Sequence, residues 1–300
     1  MYPLNRNRRL RSKESLRNLV RESSIHPHDF IAPVFVIEGS NLKEEISSMP
    51  GYFRYSLDNL KKEIKELWSI GVQAILLFVK VPDSLKDNLG SEAINEQGLM
   101  QRAIKEIKNL VPEITIMTDV ALDPYSKYGH DGIVKGMQIL NDETNEILSK
   151  MALSHAKSGA DIVAPSDMMD GRVLSIRNAL EKNGFFNTGI MSYGAKYASS
   201  FYGQFRDALD SKPGFGDKKT YQMDSANRKE AINEVHADIN EGADIIMIKP
   251  GIAYLDIVRE IRDSTNTPLA VYQVSGEYSM LKAAAKLNWI NHNEVMMEQL

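Results

Sequence analysis

Short apolar runs recur along the chain, and several of them follow an amphipathic stretch that ends in glycine. The clearest is GADIIMIKPG at 242–251, where four apolar residues precede Lys249. KSGADIVAPSD at 157–167 repeats the pattern, and WSIGVQAILLFVK at 68–80 is a looser copy. A strand that is buried on both faces shows no polar alternation, and a glycine after a helix readily adopts positive φ. The pattern therefore predicts helix–strand units that build a parallel sheet.

Seven runs of this kind are predicted strands, and the segments between them carry apolar stripes at helical spacing, as in 57–68 and 99–111. Strands that are apolar throughout favour a closed (β/α)8 TIM barrel over an open sheet, whose edge strands would be more polar. A barrel needs eight strands. The last residues, NHNEVMMEQL, are predicted to be helical, so the eighth strand is expected to be missing from this chain. The predicted strands span residues 30–38, 74–80, 114–122, 160–167, 188–196, 243–251 and 269–277.

Composition narrows the classes of function. The 300 residues are 43% hydrophobic, which suits one large α/β domain. A net charge of −4 gives no reason to expect binding to nucleic acid or to an anionic membrane. The chain has no cysteine, which excludes disulfides, a thiolate nucleophile and zinc bound by cysteine. No apolar run reaches the roughly 18 residues of a membrane span and no secretory signal is evident, so a cytoplasmic location is expected.

Polar side chains collect at the predicted carboxyl ends of the strands, where a β/α barrel carries its active site. They are Lys80, Asp119, Ser166, Asp167, Lys196, Lys249 and Ser275. A lone lysine at a strand end is usually a solvent-facing charge, because most lysines are exposed. Lys249 differs because it follows four apolar residues and precedes Pro250 and Gly251, which turn the backbone away.

Lys196 and Lys249 end neighbouring predicted strands, so their amines are expected to converge over one barrel mouth. Burial and like-charge repulsion both disfavour the protonated form and lower a lysine pKa toward neutrality. A neutral amine attacks a ketone to form a Schiff base, so the pair predicts carbonyl chemistry. An alternative is a class I aldolase-like or dehydroquinase-like barrel with a single catalytic lysine, which would explain Lys249 and leave Lys196 without a role.

Five long segments, taken in order, resemble the porphobilinogen synthase (δ-aminolevulinate dehydratase) family. They are MTDVALDPYSKYGHDG, APSDMMDGRV, IMSYGAKYASSFYGQFRDAL, IMIKPGIAYLDIVREI and AVYQVSGEYSML, and the similarity extends from about residue 8 to the last residue. The family condenses two molecules of 5-aminolevulinate into porphobilinogen with loss of two waters, in tetrapyrrole and heme synthesis. The resemblance implies a lyase that uses two Schiff-base lysines.

The resemblance also implies roles for single residues. Lys249 would bind the substrate of the P site, which supplies the propionate side of the product, and Lys196 that of the A site, which supplies the acetate side. The remaining family positions are Arg206, Lys218 and Gln222 at the A-site carboxylate, Ser275 at the P-site carboxylate, and Asp119 and Ser166 beside the P-site amine. The family's second P-site carboxylate partner is a Tyr in the last strand, and this chain ends before it.

The metal expectations rest on the same resemblance. Many family members hold zinc on three cysteines, and this chain has Ala121, Asp123 and Asp131 at those places. Two carboxylates suit Mg²⁺, a monovalent cation or no metal at all. The cysteine-free branch often has an allosteric Mg²⁺ near a subunit interface, on a Glu that matches Glu234. A plain surface charge is the alternative for Glu234, since Glu is commonly exposed.

Residues 1–29 are expected to be an N-terminal arm, and residues 30–300 a C-terminally incomplete catalytic barrel. The first thirty residues carry seven Lys or Arg against three acids, but they lack the interleaved aromatics of a nucleic-acid binder. The family uses this segment to embrace a neighbouring barrel in a homo-octamer. A scaffold without activity is the non-enzymatic alternative. The six His show no metal-ligand spacing and are interpreted as structural.

Overall fold

Eight parallel strands and one antiparallel strand form one strongly curled sheet in the computed structural model, which describes residues 1–203, 208–209, 211 and 213–300. The strands in chain order are β1 (Ile31–Ile37), β2 (Lys43–Glu45), β3 (Phe53–Tyr55), β4 (Ala74–Lys80), β5 (Thr115–Val120), β6 (Ile133–Lys135), β7 (Gln138–Leu140), β8 (Ile162–Pro165), β9 (Gly189–Lys196), β10 (Ile245–Lys249) and β11 (Leu269–Val271). The sheet order is β11-β10-β9-β8-β5-β4-β1-β3-β2, in which only β2 runs antiparallel to its neighbour, and β6 pairs with β7 separately.

Helices alternate with these strands, as the sequence predicts. Within the described residues they are α1 (Glu14–Leu19), α2 (Leu57–Ser69), α3 (Leu99–Leu110), α4 (Asn141–Ser158), α5 (Arg172–Lys182), α6 (Arg228–Asn240), α7 (Leu255–Ser264), α8 (Ser275–Lys286) and α9 (His292–Gln299). Glycines follow α2, α4 and α6 at positive φ, +92° at Gly71, +106° at Gly159 and +104° at Gly242. Only glycine adopts these angles without strain, and each one lets the chain turn directly into the next strand.

The strands are buried on both faces, which explains their lack of polar alternation. On β4, Ile75, Leu77 and Val79 pack against the helices, whereas Leu76 and Phe78 join side chains of other strands inside the curled sheet. The α/β class and the run of parallel strands are therefore confirmed. Among the described residues β11 pairs only with β10, so closure of the barrel stays a prediction.

The last predicted strand, 269–277, is too long. The structure ends β11 at Val271, and Ser275 is the first residue of α8. The cause is a helix start, because the carboxylate of Glu277 accepts a hydrogen bond from the backbone N–H of Val274 at 2.8 Å. Ser275 thus stands at a helix N-terminus instead of a strand end.

Residues 1–29 lie on the surface. They contain a short 3₁₀ turn at Asn7–Arg11 and helix α1, and neither buries a residue. In the part of the chain that the structure describes, no helix has the length and apolar character that crossing a membrane requires.

Candidate active site

The two predicted lysines stand side by side at the carboxyl edge of the sheet. β9 and β10 are parallel neighbours, and the Cα atoms of Lys196 and Lys249 are direct partners in their register. The side chains are buried, with Lys196 7% and Lys249 4% exposed. Their Nζ atoms lie 5.7 and 5.2 Å from the centre of the same ring, that of Tyr193. The structure thus brings two amines together away from solvent.

The surroundings of Lys249 favour its neutral form. Burial is the larger cause and the charge of Lys196 the next, and together they lower the pKa of Lys249 to about 7. The carboxylate of Asp119 opposes the shift. An amine with this pKa is about half neutral at pH 7, and it is therefore a competent nucleophile for a carbonyl carbon.

Lys196 has a more polar environment. Its ammonium donates to the backbone carbonyl of Ser166 and lies 3.4 Å from a carboxylate oxygen of Asp131. Lys196 thus lies near one aromatic ring and two oxygen acceptors, and Lys249 lies near three aromatic rings. The two amines are therefore not equivalent.

A carboxyl group that titrates near neutrality faces the lysines. Asp119 is at the end of β5, and burial, with the charge of Asp123 second, raises its pKa to about 7. A hydrogen bond from Ser166 and the charges of Lys196 and Lys249 oppose this rise. Asp119 and Ser166 are thus together, as their predicted positions require, and the carboxyl can hold or release a proton near pH 7.

Lys218 lies between Asp123 and Asp131, the two carboxylates of the predicted cation position. Its Nζ is 2.5 Å from Asp131 and 3.3 Å from Asp123. Burial opposes the charged forms, but the ion pairs outweigh it, raising the pKa of Lys218 and lowering that of Asp131. The described residues contain no group of three or more His, Asp or Glu side chains that could hold a metal. The predicted cation position next to Asp123 and Asp131 is thus filled by the ammonium group of Lys218.

Of the other two A-site residues, one can be located. Gln222 is buried, and its backbone N–H donates to the carbonyl of Lys218 at 2.9 Å. Its side-chain oxygen has no hydrogen-bond partner among the residues that the structure describes. Gln222 and Glu234 line a cavity of about 470 Å³. Arg206 falls outside the described residues, so its predicted role stays a prediction.

His130 attaches the segment that contains Lys218 to the loop after β5. Its Nε2 is 3.0 Å from the carbonyl oxygen of Phe215, and its Nδ1 is 3.0 Å from the hydroxyl of Tyr221. A carbonyl only accepts, so the neutral ring must carry its proton on Nε2, and Nδ1 accepts from the tyrosine. His130 is a structural residue here, which agrees with the interpretation from the sequence.

Ser275 is coupled to the loop that follows Lys249 through a carboxylate that the sequence analysis missed. Glu277 is buried and accepts from the N–H groups of Gly251 at 3.4 Å, Ala253 at 3.2 Å and Val274 at 2.8 Å. The hydroxyl of Ser275 donates to the carbonyl of Phe201 at 3.2 Å. One carboxylate therefore fixes both the backbone after Lys249 and the helix start that carries Ser275. The residue three positions before Glu277 is Val274, which has no side-chain acceptor, so the sequence lacks the full capping-box signature and gave little sign of this contact.

A buried ion pair supports β9 from behind. The guanidinium of Arg172 donates to Asp238 through two nitrogens at 2.8 and 2.9 Å, and both side chains are 2% exposed. Arg172 also donates to the hydroxyl of Ser192 at 3.0 Å and to the carbonyl of Tyr193 at 3.3 Å. Helices α5 and α6 are thus joined to the strand that ends in Lys196. Nothing in the local sequence pattern indicated this pair.

Glu234 lies on α6, on the far side of this ion pair. It is half-buried, and burial raises the pKa of its carboxyl group, with Arg172 opposing and Asp238 and Asp170 adding to the rise. Asp170, Glu230 and Glu234 line the 470 Å³ cavity together. Lys219 lines the same cavity, and among the described residues these acids do not form a group of three that could hold a metal.

Comparison with known proteins agrees with this geometry. The family model described as delta-aminolevulinic acid dehydratase matches residues 4–300. The delta-aminolevulinic acid dehydratase of Bacillus subtilis (strain 168) is 50% identical over 296 residues, covering 99% of this chain and 91% of the relative. That of Methanothermus sociabilis is 52% identical over 299 residues, covering 100% and 92%.

A solved structure matches in three dimensions as well. It is the delta-aminolevulinic acid dehydratase (porphobilinogen synthase) of Toxoplasma gondii ME49 in complex with the reaction product porphobilinogen. The TM-score is 0.96 at 48% identity, over 98% of this chain and 84% of that chain. The chain described here belongs to the delta-aminolevulinic acid dehydratase family.

Proposed function

We propose that the chain is a lyase that condenses two molecules of 5-aminolevulinate into porphobilinogen and two waters, a step of tetrapyrrole synthesis. The observation that carries the proposal is the pair of buried lysines, Lys196 and Lys249, on adjacent strand ends. The substrate has one ketone, and two substrates must be activated, so two amines are needed. The single-lysine aldolase alternative gives Lys196 no role.

The first step assigned to Lys249 is attack of its neutral amine on the ketone carbon of the P-site substrate. The carbonyl oxygen takes one proton from the amine and a second from solvent and leaves as water, while the nitrogen keeps its other proton, giving a protonated Schiff base that withdraws electrons from the neighbouring carbons. Asp119 and Ser166 are assigned to the amine of this substrate. The pKa of Asp119, about 7, suits a group that exchanges a proton with an amine near neutral pH.

Lys196 is assigned the same reaction with the A-site substrate, which releases the second water. Formation of the C–C and C–N bonds then returns both lysines to free amines, so the net loss is two waters. The substrate carboxylates are assigned to Ser275 on the P side, and to Lys218, Gln222 and Arg206 on the A side. For Lys218 this requires exchange of its present carboxylate partners for that of the substrate.

Borohydride trapping with 5-aminolevulinate tests the assignment. Reduction converts each Schiff base to a stable secondary amine, and mass mapping of peptides is expected to find the adduct on Lys249 and on Lys196. Pyrrole formation, followed with an aldehyde dye reagent, is expected from the same sample. An adduct on Lys249 alone, without pyrrole, would favour the aldolase-like alternative.

The rate of imine formation on Lys249 is expected to rise with pH up to about 7 and then to level off. With a pKa of about 7, the neutral fraction is roughly one-tenth at pH 6, half at pH 7 and nine-tenths at pH 8. The measurement is the initial rate of borohydride-trapped labelling by 4-oxopentanoate, a γ-keto acid without an amino group. A rate that still rises tenfold per unit beyond pH 8 would indicate an ordinary lysine and contradict the depressed pKa.

We propose further that the chain forms a homo-octamer through an arm at residues 1–29, and that Mg²⁺ binds Glu234 as an allosteric ligand. Leu4, Leu10 and Leu19 support the arm, because they are apolar and largely exposed. The acids around the 470 Å³ cavity support the metal site, because Mg²⁺ prefers carboxylate and water oxygens. Further ligands would come from water or a neighbouring subunit. A cytoplasmic location stays a prediction from the sequence.

Mg²⁺ is expected to raise activity and the octamer fraction together, measured by pyrrole formation and sedimentation velocity on the same samples. Glu234→Gln is expected to lose this response, while Glu298→Gln, on α9, is expected to keep it. Removal of residues 1–22 is expected to give smaller assemblies. An octamer that persists without these residues would contradict the arm, and activation that survives Glu234→Gln would contradict the metal site.

A further inference from the structure

The amine of Lys249 lies near three tyrosine rings. Its Nζ is 4.5 Å from the ring centre of Tyr272, 5.2 Å from that of Tyr193 and 5.3 Å from that of Tyr202. A cation within about 6 Å of an aromatic centroid is attracted by the negative face of the ring. These three residues, named here the tyrosine cage, come from the strand that bears Lys196, from the turn after it, and from the end of β11.

Backbone contacts hold the tyrosine cage in position before any substrate binds. The hydroxyl of Tyr202 donates to the carbonyl oxygen of Lys249 itself at 3.1 Å. The backbone N–H of Tyr272 donates to the carbonyl of Ile248 at 3.0 Å, and Tyr193 is fully buried in β9. Burial raises the pKa values of Tyr193 and Tyr272 well above 10, so both phenols are neutral at working pH.

We propose that the rings of Tyr272, Tyr193 and Tyr202 are catalytic groups that favour the protonated Schiff base on Lys249 over the free ammonium. The inference rests on the proposed function, since it concerns the reaction assigned to Lys249. The exchange is ammonium plus ketone giving protonated imine plus one water, so charge is conserved and only its distribution changes.

The two cations differ in their need for water. An ammonium is a compact, strongly hydrated point charge, and burial without full solvation destabilises it. A protonated imine is planar, spreads its charge onto carbon and is flanked by substrate atoms, so it gives up less hydration on burial. Aromatic faces attract both cations but suit weakly hydrated, delocalised ones. The tyrosine cage thus shifts the equilibrium toward the imine.

The test measures the equilibrium constant for the imine on Lys249 with 4-oxopentanoate at pH 6, where the free amine is mostly ammonium, by borohydride trapping and peptide mass mapping. Tyr272→Phe keeps the aromatic face and is expected to stay within about threefold of the parent chain. Tyr272→Leu removes the face and is expected to lower the constant about tenfold to thirtyfold. Tyr254→Leu is the matched control, because Tyr254 stacks on Tyr197 instead of Lys249.

A second series keeps the fold intact while it changes only the ring. Phenylalanines with one, two and three fluorines at position 272 retain the volume but progressively weaken the negative face. The logarithm of the imine constant is expected to fall steadily along this series. If the imine constant does not change along this series while the parent chain is trapped normally, the proposed role of the rings is overturned and the proposed function is not. If Tyr272→Phe lowers the imine constant as much as Tyr272→Leu does, the effect belongs to the hydroxyl, and the proposed role of the ring is overturned. A parent chain without an adduct on Lys249 would overturn the proposed function instead.

Discussion

Lys249→Met is expected to abolish pyrrole formation, with a loss of at least about 10⁴-fold, on the scale at which loss of a covalent nucleophile acts. The thioether cannot form an imine, and neither Lys196 nor solvent can replace an amine that is built into this position. Activity and the Lys249 adduct are measured on the same preparation. Lys80→Met is the matched control, since Lys80 also ends a strand at this edge of the sheet and is expected to remain within about threefold of the parent.

The same substitution is expected not to destabilise the fold. The pKa of Lys249 falls from the ordinary 10.5 to about 7 in the folded chain. Unfolding therefore takes up a proton between these values, and the fold loses stability as the pH falls from 10.5 toward 7. Met removes that cost, so the unfolding free energy at pH 7 should be equal or higher. An inactive variant that has also lost stability would leave misfolding as the cause and contradict this expectation.

Asp238→Asn is expected to lower the free energy of unfolding by about 3–5 kcal/mol, the usual cost of breaking a buried ion pair. Asn supplies one acceptor where Arg172 now has two charged oxygens, and the guanidinium is left with a largely uncompensated charge at 2% exposure. Asp167 offsets part of this charge, but at 3.9 Å from Nε of Arg172 its carboxylate is too far away to replace the lost hydrogen bonds. The measurement is urea unfolding at pH 7 and fixed protomer concentration.

Asp263→Asn is the matched control for this experiment. Asp263 pairs with Arg259 one helical turn away, and both side chains are more than half exposed. Exposed pairs contribute about 0–1 kcal/mol, so this variant should remain close to the parent chain. If Asp238→Asn also stays within about 1 kcal/mol of the parent, the ion pair does not contribute to stability as its burial implies.

The parallel strands and the two lysines could be predicted because both depend on local sequence. A strand with two buried faces has no alternation, and a lysine at its end, before Pro250 and Gly251, stands out against that background. The register of the strands could not be predicted in this way, because the pairing of β9 with β10 shifts between Ile246 and Ile248. The structure confirms the run of strands, and it places Lys196 and Lys249 as Cα partners.

Other features depend on contacts between distant segments, and no local pattern announces them. Arg172 and Asp238 are 66 residues apart, and Lys218 is 87 residues from Asp131. The prediction at 269–277 is too long for a different reason. The strand ends at Val271, but the strand-like composition of AVYQV continues past that residue and gives no sign of the end. The contacts of Glu277 with Val274 and with the loop after Lys249 likewise become visible only in the fold.

Lys218 shows how a charge on a side chain differs from the charge of a bound ion. Its ammonium stands between Asp123 and Asp131, at the position where the sequence predicted a bound cation. A chelator cannot extract a side chain, and a competing ion cannot replace it. The positive charge at this position therefore does not depend on the concentration of metal ions in solution, because it belongs to a side chain of the protein.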